Sequence, residues 1–204
     1  MLLPRSSTRP RFAAARLAHV RNPRARGRRQ PCQALAGHWL NATGSLTARL
    51  RGLGDVSVKR LRQQALPLWP LERALLGMPH GHVREVLLIV SGEPAVWARS
   101  ITSGRAVKGA WRALKGLGNR PLAELLFTDR SVRRAPLDAA RLHRRGPGAR
   151  LRARAWLATH SDAHDRELPQ WMRWSLFERR GQRLLVQEAF APWVLTRQLP
   201  PPRR

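Results

Sequence analysis

Two apolar runs joined by a four-residue turn, within residues 83–101, place the strongest constraint on how this chain folds. Apolar side chains recur in both runs at the strand period of two, and the linking sequence SGEP (residues 91–94) consists of residues that reverse a chain. The segment therefore predicts a β-hairpin. At the strand period, Arg84 lies on the same face as three apolar side chains, Val86, Leu88 and Val90. A strand that should bury apolar side chains thus carries a guanidinium among them.

A third run, residues 184–191, shows the same anomaly. Glu188 shares one strand face with Leu184, Val186 and Phe190. Because an isolated buried charge is costly, it is usually paired, neutralised or kept for a ligand. Arg84 and Glu188 can therefore pair with each other or with neighbours such as Glu85. A second alternative is that the assignment of side chains to strand faces is shifted by one residue at a sheet edge. Alternatively they line one cavity, where Arg84 grips an anion and Glu188 handles a hydroxyl group or a proton.

The composition favours one folded domain with a large positive charge. A length of 204 residues and 43% hydrophobic content suffice for a single core. Lys and Arg number 39 against 12 Asp and Glu, a formal net charge of +27, so a nucleic acid or an anionic surface has to be considered as a partner. Nearly all the basic residues are Arg in a chain rich in Ala, Gly, Pro and Trp, a mixture typical of G+C-rich genes. The charge would equally steer a small anionic substrate.

Cysteine content and the first residues bear on the compartment. Cys32 is the only cysteine, which excludes an intramolecular disulfide and a cysteine-based metal site and fits a reducing cytoplasm. No apolar run approaches the ~20 residues that a membrane-spanning helix needs. Residues 1–31 contain nine Arg and no acidic residue, without the apolar stretch of a secretory signal. We expect a disordered basic extension there and a cytoplasmic protein.

Strands and short helices follow one another without regular alternation, which predicts an α+β fold with one antiparallel sheet. The expected domain spans residues 32–195, with a disordered tail at 196–204. Residues 131–170 predict a long mobile insertion with some helix in it. The expected strands are 56–62, 83–90 and 95–101, with a terminal hairpin of 171–178 and 184–191. One expected helix begins after Ser45. The others span residues 71–78, 107–117, 122–127, 137–143 and 151–159.

The backbone amides at two helix N-termini could bind the same anion as Arg84. The backbone amides that begin at Leu46, after Ser45, and at Leu122, after Pro121, have no partner inside their helices. Such amides bind carboxylates and phosphates. Converging with one buried guanidinium, they would form a cradle for a carboxylate, at ~1.5–3 kcal/mol for each charge-assisted hydrogen bond.

Six segments carry a resemblance to a known family. They are TGSLTARLR (43–51), VREVLL (83–88), WARSI (97–101), LGNRPLAELLF (117–127), WMRWSLF (171–177) and LLVQEAFAP (184–192). In this order they resemble the chorismate lyase family, the chorismate pyruvate-lyases that perform the first committed step of ubiquinone biosynthesis. The resemblance implies a monomer whose short helices form flaps over an internal pocket. It also implies cleavage of chorismate to 4-hydroxybenzoate and pyruvate with no metal and no organic cofactor.

Position within these motifs implies roles for individual residues. The family's ligand arginine corresponds to Arg84, its two backbone amide donors to Leu46 and Leu122, and its hydroxyl-binding glutamate to Glu188. A second family arginine, on the ligand route, corresponds to Arg99, for which a solvated strand residue is the alternative.

The chain departs from the family pattern at two positions. Arg173 is followed by Trp174 where the family tends to have a second arginine, and Ala191 stands where Leu is usual. These departures put the packing of the flaps and the turnover rate in question.

Other functions remain open from the sequence. A protein that binds RNA or DNA would use residues 1–30 and the Arg-rich stretch 144–154 as its footprint, with Trp side chains as stacking platforms. A family member could also bind a hydroxybenzoate-like ligand without catalysis. His160 and His164 have the spacing of a helical metal site, but their polar surroundings favour a solvated loop.

Overall fold

The computed structural model describes residues 31–142, 153, 156 and 167–198, and seven strands within them form one antiparallel sheet. The strands are β1 (Val56–Pro67), β2 (His80–Val90), β3 (Glu93–Thr102), β4 (Arg133–Arg134), β5 (Asp138–Arg141), β6 (Trp171–Arg179) and β7 (Gln182–Phe190). Their order across the sheet is β1-β2-β3-β7-β6-β4, and β5 also pairs with β6. The helices are α1 (Pro31–Asn41), α2 (Leu46–Leu50), α3 (Pro70–Leu76), α4 (Ala123–Thr128) and α5 (Pro192–Leu195). The predicted α+β class with a single antiparallel sheet is confirmed.

Both predicted hairpins are present. Between β2 and β3, Ser91 and Gly92 have φ angles of 48° and 84°, the left-handed pair that a two-residue hairpin turn requires. Arg180 and Gly181 play the same part between β6 and β7, with φ angles of 49° and 69°. Because two such residues match the right-handed twist of the flanking strands, they fix where each hairpin reverses.

The join between the two hairpins decides which side chains share a face. β3 pairs with β7 so that Ala98 faces Glu188, while on the other side Val86 faces Ala98 and Arg84 faces Ser100. Paired residues of antiparallel strands point to the same side of the sheet. Arg84 and Glu188 therefore lie on one face, two strands apart.

Two helix ends follow the predicted chemistry, and a third helix is present with a shifted start. The Ser45 hydroxyl accepts a hydrogen bond from the amide of Ala48 at 3.1 Å and caps α2. Gly77 ends α3 in the left-handed conformation, with φ 68°. The helix predicted at 122–127 is α4, which begins one residue later.

The sequence prediction was wrong in two segments. Residues 107–117 are not an α-helix: they form turns and a short 3-10 helix, Arg112–Gly116. Gly109 and Gly116 weaken a helix there, and Trp111 is held instead by its indole N–H, which donates to the carbonyl of Gln182 at 3.0 Å. Residues 138–141, expected to be helical, are β5, which pairs with the edge of β6. An open strand edge offers a row of unpaired amides and carbonyls, and satisfying it outweighs helix propensity.

Other boundaries also differ from the prediction. Strand β1 continues to Pro67, five residues beyond its expected end, while α1 and α5 had not been predicted. Within the insertion at 131–170, Ala153 and Trp156 have helical backbone and Trp156 is buried in the main core. The other residues of the helix expected at 151–159 lie outside the described residues, as do 1–30 and 199–204. No helix in the described part of the chain is long and apolar enough to cross a membrane.

Candidate active site

One face of the sheet forms the floor of a cavity that the short helices close from above. The empty space between its lining atoms, including its opening to solvent, is about 620 Å³. α2 and α4, with the loop before α4, form the roof, which matches the predicted flaps. Most of the floor comes from alternate residues of β2, β3, β6 and β7, namely Arg84, Val86, Leu88, Ala98, Ser100, Ser175, Phe177, Val186 and Glu188, and β1 adds Val58.

Arg84 is a buried cation without a carboxylate partner in the described residues. The residue is 1% exposed, and its Nη2 donates to the carbonyls of Gly118 and Arg120 at 3.0 and 2.9 Å. Its Nε–H is buried and has no acceptor within the described part of the chain. Burial lowers the pKa of Arg84 to about 10, with a smaller contribution from the charge of Arg60. The guanidinium therefore stays charged near neutral pH and keeps a donor for an anion.

Glu188 is held by a different arginine from the one the sequence suggested. Its Oε2 accepts from the Nε of Arg173 at 2.5 Å, and its side chain is 16% exposed. Arg173 is almost fully buried and its Nη1 donates to the carbonyls of Trp39 and Ala42, each at 2.8 Å. The pairing of Arg84 with Glu188 or Glu85 that the sequence left open does not occur. Arg173 fixes Glu188 by one oxygen, and the carboxylate remains on the cavity wall.

The two residues expected to bind through their backbone amides both line the roof. Leu46 is the first residue of α2, and Leu122 directly precedes α4. The carbonyls of Gly118 and Arg120 that Arg84 binds belong to the loop that leads to Leu122. Arg84 thus connects the floor of the cavity to the part of the roof that carries Leu122.

Arg99 does not line this cavity, and it is not the solvated residue that was the alternative. It lies on the opposite face of the sheet and is 1% exposed. Its Nε and Nη2 donate to Glu72 of α3 at 2.7 and 3.1 Å, and its Nη1 donates to Glu85. The guanidinium also stacks on Trp69, 4.1 Å from the ring centroid. Arg99 therefore joins α3 to the back of the sheet.

Sequence reasoning missed two charged residues that matter for the site, Arg173, which holds Glu188, and Arg134. Arg173 shares a strand face with Ser175 and Phe177, so the period-two count that singled out Arg84 would have found it. Arg134 lines the cavity from β4. A two-residue strand has no periodicity to read, so no sequence signal separated Arg134 from the other arginines around it.

The two departures from the family pattern lie away from the cavity. Trp174 is buried on the other face of β6, in the main core, where it pairs with Gln187. Ala191 is fully buried at the start of α5, and its amide donates to the carbonyl of Ala95 at 2.8 Å. Neither side chain is part of the cavity wall.

The cavity is chemically suited to an anion with an apolar ring. Among the described residues, apolar side chains cover much of the wall, two guanidiniums line it, and one carboxylate is placed to accept from a hydroxyl group. Within the described residues no group of three or more His, Cys, Asp or Glu could hold a metal ion. His160 and His164 lie outside those residues.

Comparison with known proteins points to one family. The family model described as "Chorismate lyase" matches residues 29–199. A "Probable chorismate pyruvate-lyase" from Azoarcus sp. (strain BH72) is 44% identical over 164 residues, covering 77% of this chain and 84% of that protein. A protein of the same name from Albidiferax ferrireducens is 43% identical over 176 residues, covering 80% of this chain and 88% of that protein.

Two of the solved structures that resemble this chain do so at low sequence identity. The effector domain of PhnF from Mycobacterium smegmatis is 14% identical, with a TM-score of 0.44, over 72% of this chain and 88% of that chain. A GntR-family transcriptional regulator from Bacillus cereus is 7% identical, with a TM-score of 0.46, over 74% of this chain and 100% of that chain. A likeness of this degree carries no conclusion about what binds in the cavity.

Proposed function

The chain belongs to the chorismate lyase family, and we propose that it cleaves chorismate to 4-hydroxybenzoate and pyruvate in the cavity described above. In this family the reaction is the first committed step of ubiquinone biosynthesis. The observation that carries the proposal is Arg84, a buried cation whose Nε–H has no acceptor among the described residues, in a cavity that Glu188 also lines. An unpaired buried charge is costly unless a ligand completes it.

The substrate is placed by these groups as follows. The ring carboxylate of chorismate takes the place of the missing acceptor at Arg84 and also accepts from the amides of Leu46 and Leu122, which line the roof beside it. Glu188 accepts from the ring hydroxyl group. Apolar floor residues, among them Val86 and Val186, contact the ring. Together these contacts orient the carbon that loses a proton and the carbon that loses the ether oxygen.

The reaction needs positioning more than strong acid or base catalysis. The bond between the ring and the ether oxygen breaks, the neighbouring ring carbon loses its proton, and the C–H electron pair completes the aromatic ring. The ether oxygen leaves as enolpyruvate, which gains a proton and becomes pyruvate. Atoms and electrons balance between chorismate and the two products, so no electron carrier takes part. Aromatisation drives the step, and the protein stabilises the charge that develops on the leaving oxygen.

We also propose that the protein works as a cytoplasmic monomer with one catalytic domain at residues 32–195. The groups proposed to bind chorismate, Arg84, the amides of Leu46 and Leu122, and Glu188, all line one cavity within this chain. The lone Cys32 fits a reducing compartment.

The direct test is release of both products from chorismate by the full chain. Pyruvate is measured by coupling to lactate dehydrogenase, and 4-hydroxybenzoate by its absorbance after chromatography. We expect equal amounts of the two products, well above chorismate incubated without protein. Binding of 4-hydroxybenzoate without release of pyruvate would instead identify a non-catalytic binder. The absence of both binding and pyruvate release would refute both functions.

A further inference from the structure

Arg134 is the second guanidinium of the cavity wall, and the contacts assigned so far leave it without a role. It belongs to β4, where it pairs with Phe177 of β6, and it is half-buried. Its Nε is buried and has no hydrogen-bond acceptor among the described residues. Among the described residues, Arg84 and Arg134 are the two basic side chains that line this cavity.

The position of the Arg134 guanidinium leaves its N–H groups available to a carboxylate. The guanidinium lies over the ring of Phe177, with its central carbon 5.2 Å from the ring centroid. A stacked guanidinium keeps its N–H groups in the plane of the fork, where they can bind a carboxylate through two parallel hydrogen bonds. The aromatic contact therefore fixes the group without using its donors.

A purely structural role as counter-charge to Glu188 does not account for this arrangement. Glu188 is hydrogen-bonded to Arg173, whereas Arg134 forms no ion pair within the described part of the chain. Burial lowers the pKa of Arg134, the charge of Glu188 opposes this, and the charge of Arg173 adds to it. An anion in the cavity would offset that cost.

Chorismate supplies such an anion because it has two carboxylates, one on the ring and one on the enolpyruvyl side chain. We propose that Arg134 binds the enolpyruvyl carboxylate while Arg84 binds the ring carboxylate, an assignment that rests on the function proposed above. β2 and β4 are four strand spacings apart in the sheet order, about 19 Å at ~4.8 Å each. The two arginines thus enter the cavity from opposite sides, as two separated carboxylates require.

This assignment makes Arg134 a determinant of specificity. The product 4-hydroxybenzoate keeps the ring carboxylate and has lost the other one, so Arg134 contributes to binding of the substrate and not of the aromatic product. It also places a cation beside the enolpyruvate as negative charge develops on its oxygen. Loss of Arg134 should therefore discriminate between ligands with one and with two carboxylates.

The test compares two ligands that do not react. One is 4-hydroxybenzoate, and the other is 4-hydroxybenzoate bearing a 1-carboxyethoxy ether on ring carbon 3, a stable aromatic compound with both carboxylates. Calorimetric titration of the full chain should show that Arg134→Met weakens binding of the dicarboxylate by about 10- to 100-fold, the loss of one charge-assisted interaction. Binding of 4-hydroxybenzoate should stay unchanged.

The neighbouring strand residue provides a matched control. Arg133 is exposed and does not line the cavity, so Arg133→Met should bind both ligands like the unmodified chain. If Arg134→Met binds the dicarboxylate as tightly as the unmodified chain, or loses the same factor for both ligands, the assignment is overturned. If Arg134→Met fails to fold, the same two titrations of Arg134→Lys test the assignment. It keeps the charge without the two-pronged edge, so we expect a loss for the dicarboxylate alone, and unchanged binding of both ligands would overturn the assignment.

These titrations do not depend on turnover. Failure of the unmodified chain to release pyruvate would refute the proposed lyase activity, and the two-ligand comparison would still decide whether Arg134 recognises a second carboxylate.

Discussion

At the scale of single residues, two kinds of arginine with little exposure differ in whether a carboxylate is paired with them. Arg99 and Arg173 each pair with a carboxylate at hydrogen-bond distance, and these ion pairs connect secondary-structure elements to one another. Arg84 and Arg134 line the cavity with an Nε–H that has no acceptor in the described residues. Since a buried donor without an acceptor costs ~1–3 kcal/mol, a ligand that supplies the acceptor recovers that free energy on binding.

Replacing Arg84 should impair substrate binding more than chemistry. Arg84→Ala removes at least one charge-assisted hydrogen bond of ~1.5–3 kcal/mol, so KM for chorismate should rise by about 10- to 100-fold. Steady-state kinetics of pyruvate release measure this change. Arg120→Ala is the matched control, because that side chain is exposed and its carbonyl, which Arg84 uses, is retained. A normal KM in Arg84→Ala would remove this residue from the site.

The pKa of Arg84 gives the binding a pH limit. Because burial lowers that pKa to about 10, KM for chorismate should stay level up to about pH 9 and increase as the guanidinium loses its proton above that. The unfolded chain holds this proton to higher pH, so this group favours the folded state as pH rises through the same window. Weaker binding there would therefore not reflect Arg84-linked unfolding. The sequence has no tyrosine that titrates in this range, and a KM that rises already near neutral pH would contradict the prediction.

Replacing Glu188 should affect the chemical step more than binding. Glu188→Gln keeps the shape but exchanges the acceptor that orients the ring hydroxyl for a weaker, neutral amide. We expect kcat to fall by about 10-fold or more with a smaller change in KM. Glu167→Gln, an exposed change outside the cavity, serves as the control. Near-normal kcat would show that the carboxylate takes no part.

At the scale of secondary-structure elements, ion pairs and turns determine how the pieces meet. Arg173 of β6 donates both to Glu188 of β7 and to carbonyls near the end of α1. It therefore fixes the position of a helix, a strand and one cavity residue at once. On the other face of the sheet, Arg99 donates to Glu72 of α3 and to Glu85 of β2, and so fixes α3 against the sheet.

Removing Arg173 should destabilise the fold as well as disturb the site. Arg173→Met leaves Glu188 and the carbonyls of Trp39 and Ala42 without their donor, and breaking a buried pair costs ~3–5 kcal/mol. We expect the lower end of that range because the Glu188 side chain is 16% exposed. Denaturant unfolding measures the loss. In Arg173→Met combined with Glu188→Gln the loss should be smaller than the sum of the single losses, and strict additivity would show that the pair is not coupled.

The strands of the two hairpins could be predicted from sequence because each carries its own period. Residues 83–101 and 171–191 showed alternation and turn residues, and the two hairpins formed there with Arg84 and Glu188 on one face. The segments that failed depend on distant partners. β5 exists because β6 has an edge to fill, and residues 107–117 are held by contacts to the β6–β7 hairpin, such as the bond from Trp111 to Gln182. Local propensity cannot register either effect.

At the scale of the whole molecule, the same dependence on distant partners limited prediction of the site. Period counting and family resemblance named Arg84 and Glu188, which line one cavity. Period counting could have singled out Arg173, but its pairing with Glu188 and the presence of Arg134 in the cavity follow only from where β4 and β6 lie in the sheet. The net charge of +27 is likewise a property of the whole chain. It does not distinguish a field that attracts a dianionic substrate from a footprint for nucleic acid.

Removal of residues 1–30 should separate those two explanations of the charge. These residues hold nine of the 39 basic residues and no acidic one, whereas the described cavity is built from residues beyond 40. A chain beginning at residue 31 should keep the kcat and KM of the full chain for chorismate. It should lose most of the binding to a fluorescent oligonucleotide, measured by anisotropy at several salt concentrations, because each lost phosphate contact lowers the slope of log K against log salt by ~0.9. Strong, salt-dependent binding that survives the truncation would favour a nucleic-acid partner for the domain itself. Loss of lyase activity on truncation would show that the basic segment contributes to catalysis.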